Sequence, residues 1–267
     1  MAPSDFKKEI RRYYRKNGRD FQWRRTTDPY RIVVSEIMLQ QTQTARVEPK
    51  YRAFVREFPS FKALAKAPVS KVLAAWHGLG YNRRALYLKK LAEIVTGEYQ
   101  GKLPEAPAEL IKLPGIGKNT AGSVLAFAFN KPVPFIETNI RRVFIFFFFP
   151  KKKKIQDDKI LELVTATLDT KNPREWYYAL MDYGAMLTKA TENPNRRSGH
   201  YAVQSKFEGS RRQTRGLVLK LLLNRPNRLS ELVRASGKDR ELMAAILSDL
   251  SREGFITREG DYWRLRT

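Results

Sequence analysis

Apolar residues recur along most of this chain at intervals of three and four, the spacing of one face of an α-helix, and short polar turns cut the pattern into segments. Ser4 or Asp5 caps a first helix running to about Lys16, where Asn17-Gly18 breaks it. Asp28-Pro29 opens a second over 30–42, whose apolar residues nearly encircle it, as in a buried helix. Helical spacing continues over 47–58, 69–76 and 83–95, with Phe58-Pro59-Ser60 and the stretch from Gly78 to Asn82 as breaks. It resumes over 121–129, after Glu137, over 161–170 and over 176–189. Phe146 to Phe149 reads as a core-facing helix end, and Lys151 to Lys154 as a solvated loop. The tail differs: three helices (211–223, 229–235, 239–252) precede two short alternating runs, 255–257 and 262–265, around a turn at Gly260. Three helices and a hairpin make a winged helix. The expectation is an all-α chain with a helical domain over 1–204 and a winged-helix domain over 205–267.

Within the helical part, Leu113-Pro114-Gly115-Ile116-Gly117-Lys118-Asn119-Thr120-Ala121-Gly122 joins two helices through a hairpin. Gly115 and Gly117 are able to take backbone angles closed to other residues, which aims peptide N–H groups outward at a phosphate where the next helix begins. The same residues also suit an ordinary joint between helices.

Charge favours the first reading. The chain carries a net +24 with a pI near 10.3, a field that attracts polyanions, nucleic acid first among them. Residues 205–267 hold 14 Lys/Arg against 8 Asp/Glu, so both parts are basic. With no cysteine, a disulfide, a thiolate zinc site and a cysteine-held iron–sulfur cluster are all excluded, and His77 and His200 are too few for a histidine metal cage. The N-terminus has no apolar signal core, and the longest apolar run, Val143 to Phe149, is too short to span a bilayer, so an intracellular protein is expected.

Against this background a few residues stand out. Glu36 shares its helix face with Ile32, Val33 and Leu39, so desolvation should raise its pKa and make it a general-acid candidate, unless it merely pairs with an arginine. Gln40 and Gln41 offer amides at the end of that helix. Tyr81, just after Gly80 in a flexible turn, suits a wedge into a base stack or plain packing against its own core. Glu137 stands at a helix start, where an acid often only caps N–H groups, yet it is a second carboxylate for Glu36 to work with.

Taken together, Trp23-Arg24, the run Val34-Ser35-Glu36-Ile37-Met38-Leu39-Gln40-Gln41-Thr42-Gln43, Trp76-x-Gly78-Leu79-Gly80-Tyr81, Leu113-Pro114-Gly115-Ile116-Gly117, Asn139-Ile140-x-Arg142-Val143 and Ala179 to Met186 resemble the helix-hairpin-helix DNA glycosylases, especially those that remove adenine. The resemblance covers residues 6 to 190 and implies a fold of two helical lobes and a base-excision enzyme that flips a nucleotide out of duplex DNA and hydrolyses its N-glycosidic bond. It implies Glu36 as the acid that protonates the departing adenine, Glu137 as the carboxylate facing the sugar cation, and Asn139 as a supporting amide. Gln41 and Tyr81 would fill the stack around the flipped nucleotide, Gln40 would contact the DNA beside them, and Leu113, Gly115, Gly117, Lys118, Asn119 and Thr120 would form the phosphate clamp. Bifunctional relatives carry a Schiff-base lysine where this chain has Asn119, so a monofunctional enzyme is expected, with Lys118 a source of weak strand cleavage. The implied partner is double-stranded DNA with a mispaired or damaged base, handled by a monomer in the cytoplasm at the nucleoid.

Three departures accompany the resemblance. The second carboxylate is usually aspartate, one methylene shorter than Glu137. The four cysteines that usually hold an iron–sulfur cluster are absent, with Thr188 at the first of their places, so no cofactor is expected and the polar segment 191–201 is expected to replace the cluster structurally. The winged helix stands where a domain recognising 8-oxoguanine usually follows. Two rival readings remain: a uracil or thymine mismatch glycosylase of the same fold, and a winged-helix DNA-binding protein without catalysis.

Overall fold

Helices α1 (Pro3–Asn17), α2 (Pro29–Leu39), α3 (Thr44–Glu57), α4 (Phe61–Lys66), α5 (Val69–Trp76), α6 (Arg83–Gly97), α7 (Pro107–Lys112), α8 (Lys118–Phe129), α9 (Thr138–Phe148), α10 (Asp157–Thr167) and α11 (Pro173–Ala190) form the chain up to the tail. The tail adds α12 (Arg211–Asn224), β1 (Asn227–Arg228), α13 (Leu229–Ser236), α14 (Arg240–Arg252), β2 (Ile256–Glu259) and β3 (Tyr262–Leu265). The structure, a computed structural model, describes residues 1–267. By internal contact the chain divides into two units that cut across chain order: one of residues 1–36, 104–112 and 116–203, the other of 37–103, 113–115 and 204–267.

In the first unit α11 lies on α9 and α1. The approach to α9 is so close that a Cβ on Gly184 would overlap the Asn139 carbonyl oxygen and stand 2.8 Å from its carbon, so only glycine fits. Phe6 of α1 meets Phe144 and Trp176 at ring separations of 5.1 and 6.0 Å, closing a core that α8 completes with Val124, Leu125 and Phe127. Asp182, buried on α11, takes Arg19 and Arg24 together, each at 2.7 Å. A buried carboxylate needs such partners, because it has lost its water.

The second unit packs α4 and α5 against α6, with Phe54 and Trp76 fully buried. In the tail, Leu232, Met243, Ile246, Leu247 and Leu250 make the core beneath an antiparallel sheet of order β1-β3-β2, with Ile256 opposite Leu265 and Asn227 opposite Trp263. The winged-helix order follows the hydrophobic pattern, although the two-residue strand β1 is too short to show in it. Within this unit the tail docks through one carboxylate: Glu253 accepts from Arg83 of α6 at 2.7 Å and from Arg215 of α12 at 2.6 Å. The Ser70 N–H also donates to the Arg266 carbonyl at 3.2 Å.

Several boundaries move from their expected places. α2 stops at Leu39 rather than at Thr42, because Gln41 takes a left-handed backbone angle (φ 53°) that a helix cannot continue through. α10 starts at Asp157, where two acidic residues favour a helix N-terminus, and ends at Thr167, so it covers 157–167 in place of 161–170. The short α4, capped by the Ser60 hydroxyl accepting from the Ala63 N–H, follows the break at Phe58-Pro59-Ser60, in a stretch to which the apolar pattern assigns no helix. No helix is long and apolar enough to cross a membrane.

Candidate active site

Glu36 lies on the last part of α2 in the first unit, half-buried among Val33, Ser35 and the side chains that face it from α8 and α11. Desolvation is the largest influence on its carboxyl and raises the pKa to about 7; the nearby negative charge of Glu137 pushes the same way, while a hydrogen bond with Ser123 and the charge of Arg24 oppose. The Ser123 hydroxyl also donates to the Thr120 carbonyl at 3.0 Å, so its single proton is shared and its hold on Glu36 is weak. Glu36 therefore stands half-protonated near neutral pH.

Glu137 has the donors that Glu36 lacks. It is the N-cap of α9, and its Oε1 accepts from the N–H groups of Asn139 at 2.8 Å and Ile140 at 2.9 Å; its Oε2 accepts from the Asn139 amide at 3.2 Å. Burial is the largest influence and raises its pKa, but these donors and the charge of Arg142 work against that. All of them stabilise the ionised form. Arg142, itself buried, donates to Asn139 Oδ1 at 2.6 Å and to the Gly184 carbonyl at 2.7 Å. The place of Asn139 is thus fixed from three sides: its own helix start, Arg142 and the close passage of α11.

Two further groups at Glu36 escape the sequence pattern. Tyr178 of α11 is 6% exposed, stacks on Phe127 with ring centres 4.5 Å apart, and interacts electrostatically with Glu36. Its hydroxyl is buried without a hydrogen-bond partner. Arg24 lies over the Tyr178 ring at 4.5 Å, held there by Asp182. Only the Trp23-Arg24 and Met181-Asp182 motifs hinted at this cluster; the pairing of Arg24 with Asp182 spans 158 residues of chain.

The hairpin divides its two glycines by role. Gly115 has φ 83° and packs against Tyr87 and Ile37, so a side chain there meets both strain and a wall. Gly117 does not take the unusual angle expected of it: at φ −91° and ψ 175° it is extended, the N-cap of α8, with nothing near its missing side chain. The use of glycine at 117 is steric openness at the helix start rather than a left-handed turn. Leu113 is buried as an anchor, whereas Lys118 and Asn119 are exposed and Thr120 is half-buried. The Asn119 side-chain oxygen accepts from the Ile136 N–H at 3.2 Å, tying α8 to the loop that delivers Glu137. The Gln40 amide donates to the Gly115 carbonyl at 3.1 Å and so braces the turn.

In the second unit Gln41 is exposed at φ 53° and Tyr81 is 37% exposed at φ 47°. Non-glycine residues held in this region carry strain and concentrate at functional positions. Arg84 explains how they are held. This buried guanidinium donates to the carbonyls of Ile37 and Met38 at 2.9 Å, of Gln40, and of Gly80 at 3.2 Å, and to the Thr42 hydroxyl at 2.9 Å. It satisfies the open carbonyls at the end of α2 and pins the turn before Tyr81, whose ring it faces at 5.3 Å. As one of 51 basic residues it gave no sign of this in the sequence.

No group of three or more His, Asp or Glu side chains is placed to hold a metal ion, and a chain without cysteine has no thiolates for an iron–sulfur cluster. After α11 the chain is instead held by polar bonds: the Asn195 amide donates to the Thr138 carbonyl at 3.0 Å, Arg197 to the carbonyls of Phe149 and Pro150, and Ser198 bridges to Ile155.

The chain resembles known proteins over this same region. Residues 34–166 match the model of the HhH-GPD superfamily of base excision DNA repair proteins. The adenine DNA glycosylase of Buchnera aphidicola subsp. Baizongia pistaciae is 37% identical over 192 residues, which cover 70% of this chain and 54% of the relative. That of Mycolicibacterium smegmatis is 38% identical over 185 residues, covering 68% and 63%. The chain thus spans somewhat more than half the length of these curated relatives. The thymine/uracil-DNA glycosylase of Methanothermobacter thermautotrophicus is 31% identical over 185 residues, covering 68% of this chain and 84% of the relative. Among solved structures, a thermostable thymine-DNA glycosylase superposes with a TM-score of 0.64 at 27% identity over 74% of this chain and 92% of the other. An endonuclease III–DNA complex shares the fold, with a TM-score of 0.58 at 16% identity over 68% and 85%. With the hairpin, the acid helix and the ordered motifs all in one register, the chain belongs to the HhH-GPD superfamily of base excision DNA repair proteins.

Proposed function

We propose that the protein is a monofunctional DNA glycosylase that releases adenine mispaired with 8-oxoguanine or guanine. The observation that carries this reading is the unequal pair of carboxyls: Glu36, half-protonated near neutral pH through burial, and Glu137, whose pKa burial also raises but whose three N–H donors favour its ionised form. Adenine leaves poorly as an anion, so its departure needs a proton on a ring nitrogen, and the sugar left behind carries positive charge at C1′. Glu36 gives the proton as the C1′–N9 bond breaks and its electron pair moves onto the base; Glu137 faces the cation until water adds at C1′. This is the division of labour of paired carboxyls in glycoside hydrolysis. The unpartnered Tyr178 hydroxyl supplies a hydrogen bond to the base, and the open start of α8, with Gly117, Lys118 and Thr120, receives a phosphate. Asn119, bound to the Ile136 N–H, takes the place of a Schiff-base lysine.

A second reading, release of uracil or thymine opposite guanine, has its own support in the thymine/uracil-DNA glycosylases that this chain covers over 84% of their length. Single-turnover base release separates the two, on duplexes with adenine opposite 8-oxoguanine or guanine beside uracil and thymine opposite guanine. The expected outcome is adenine release that Glu36→Gln abolishes while duplex binding persists. Release of pyrimidines alone establishes the second reading, and full activity in Glu36→Gln removes Glu36 from the chemistry.

A further inference from the structure

A groove of about 780 Å³ runs over the tail between α14, the start of α13 and the turn that joins β2 to β3. Four arginines line it against one carboxylate, Asp261. Arg240 and Arg252 are the two ends of α14, about 18 Å apart along its axis, and Arg228 and Arg258 come from β1 and β2. Much of this positive charge is left over. Asp261 stands 3.8 Å from Arg258 with both side chains mostly in solvent, which makes a weak pair. Asp249 takes Arg211 and Arg252 together, so one negative charge answers two positive ones, and Glu241, the other carboxylate of α14, does not line the groove. Arg228 lies over the Tyr262 ring at 4.8 Å, and Arg258, which also donates to the Gly260 carbonyl, lies over the Trp263 ring at 5.9 Å. Stacking occupies the flat face of a guanidinium and leaves N–H edges to an anion. The tail docks on α6 through Glu253 and on α5 through Arg266, neither of which lines the groove.

Charge at both ends of so long a face suits an extended polyanion rather than a single phosphate. A single-stranded nucleic acid would need bare aromatic faces for its bases, and the Tyr262 and Trp263 rings already carry guanidinia. A duplex needs only phosphates within reach, and it presents one for about every 1.7 Å of its axis. Between the two terminal arginines α14 brings Ala244, Ser248 and Ser251 to the groove, small side chains that let another surface come close to the helix. None of them is an Asn, Gln or Arg, the residues that read base edges through paired hydrogen bonds. We propose that this groove grips the backbone of duplex DNA without regard to sequence, as a second contact built from residues outside the acid pair and the hairpin. A protein that must meet a wrong base in any context is served by phosphate contacts, which position the duplex and carry no sequence information.

The test is binding of the full chain to fully paired duplexes of unrelated sequence, read by fluorescence anisotropy over a series of salt concentrations. No base is released from such duplexes, so the result does not depend on which base the enzyme removes. Arg240→Ala/Arg258→Ala is expected to weaken every duplex by about tenfold or more at roughly 100 mM salt, and to lower the slope of log affinity against log salt by about two. Ser248→Glu keeps all four arginines and sets a carboxylate on an exposed turn of α14; it is expected to weaken every duplex by about threefold or more. Lys62→Ala/Lys220→Ala removes the same charge from exposed positions on α4 and α12 and should leave the slope as it was. Circular dichroism melts confirm that the variants remain folded, and Ser248→Glu reads the groove even if Arg258→Ala disturbs its own turn. Equal losses in the two double variants overturn the proposal, because bulk charge then holds the duplex. So do losses that fall on some sequences and spare others. Wild-type binding in both groove variants also overturns it and leaves the groove to a protein partner.

Discussion

Glu36 illustrates what the site demands of a single residue. Its carboxyl is raised to about 7 by desolvation; on the proposed mechanism it acts when protonated, so base release should decline with half-loss near pH 7 as pH rises. On the same reading Glu137 must be ionised, so the rate should also fall on the acid side of its pKa, which burial raises; single-turnover rates from pH 5 to 9 would show the limb set by Glu36. The same shift affects stability. A carboxyl whose folded pKa lies above its unfolded value stabilises the fold most below the unfolded pKa, near 4.5, and that contribution is lost as pH rises through about 7. Glu36→Gln removes the charge that the fold disfavours, so at pH 8 the variant should be more stable than the wild type by up to about 3 kcal/mol, with no gain at pH 4. Thermal melts at the two pH values decide it. Glu36 was legible in the sequence because its apolar neighbours sit on its own helix. Tyr178, Arg24 and Arg84 were not, since each draws its role from partners far away in the chain.

Elements were legible where their periodicity ran long. α1, α5, α8, α11 and the three tail helices begin and end within a few residues of their expected limits, because turns and apolar spacing agree there. The end of α2 was misplaced, since a left-handed Gln41 has no signature when glycine is not used, and the extended Gly117 shows that a glycine-rich motif does not itself assign an angle to each glycine. The passage of α11 over α9 left only one mark, the glycine in Tyr183-Gly184-Ala185. A methyl group at Gly184 would press on the Asn139 backbone, which is held in place and has no room to yield. Gly184→Ala should therefore cost about 3 kcal/mol or more in urea denaturation, and should lower base release further than the lost stability explains, because Asn139 and Glu137 move with that backbone. Gly199→Ala serves as a control with a smaller expected cost, since the methyl group there presses on the flexible Gln156 side chain rather than on backbone.

At the scale of the molecule, a net charge of +24 makes DNA affinity a function of salt. If six or more phosphates are neutralised, binding to an undamaged duplex should fall by about a thousandfold between roughly 50 and 200 mM salt, read from the slope of log affinity against log salt. A flat response would rule out phosphate contacts as the main source of affinity.

The joint at Glu253 gives that titration a second meaning. Burial alone would raise the pKa of this carboxyl, but its bonds to Arg83 and Arg215 outweigh burial and hold it low, so the joint is ionic across the physiological range. Ions that displace the protein from phosphates also screen Arg83 from Glu253. The tail is thus fastened by a coupling that loosens under the same conditions that release DNA. A plot of log affinity against log salt should consequently bend downward rather than run straight, and Glu253→Gln should straighten it.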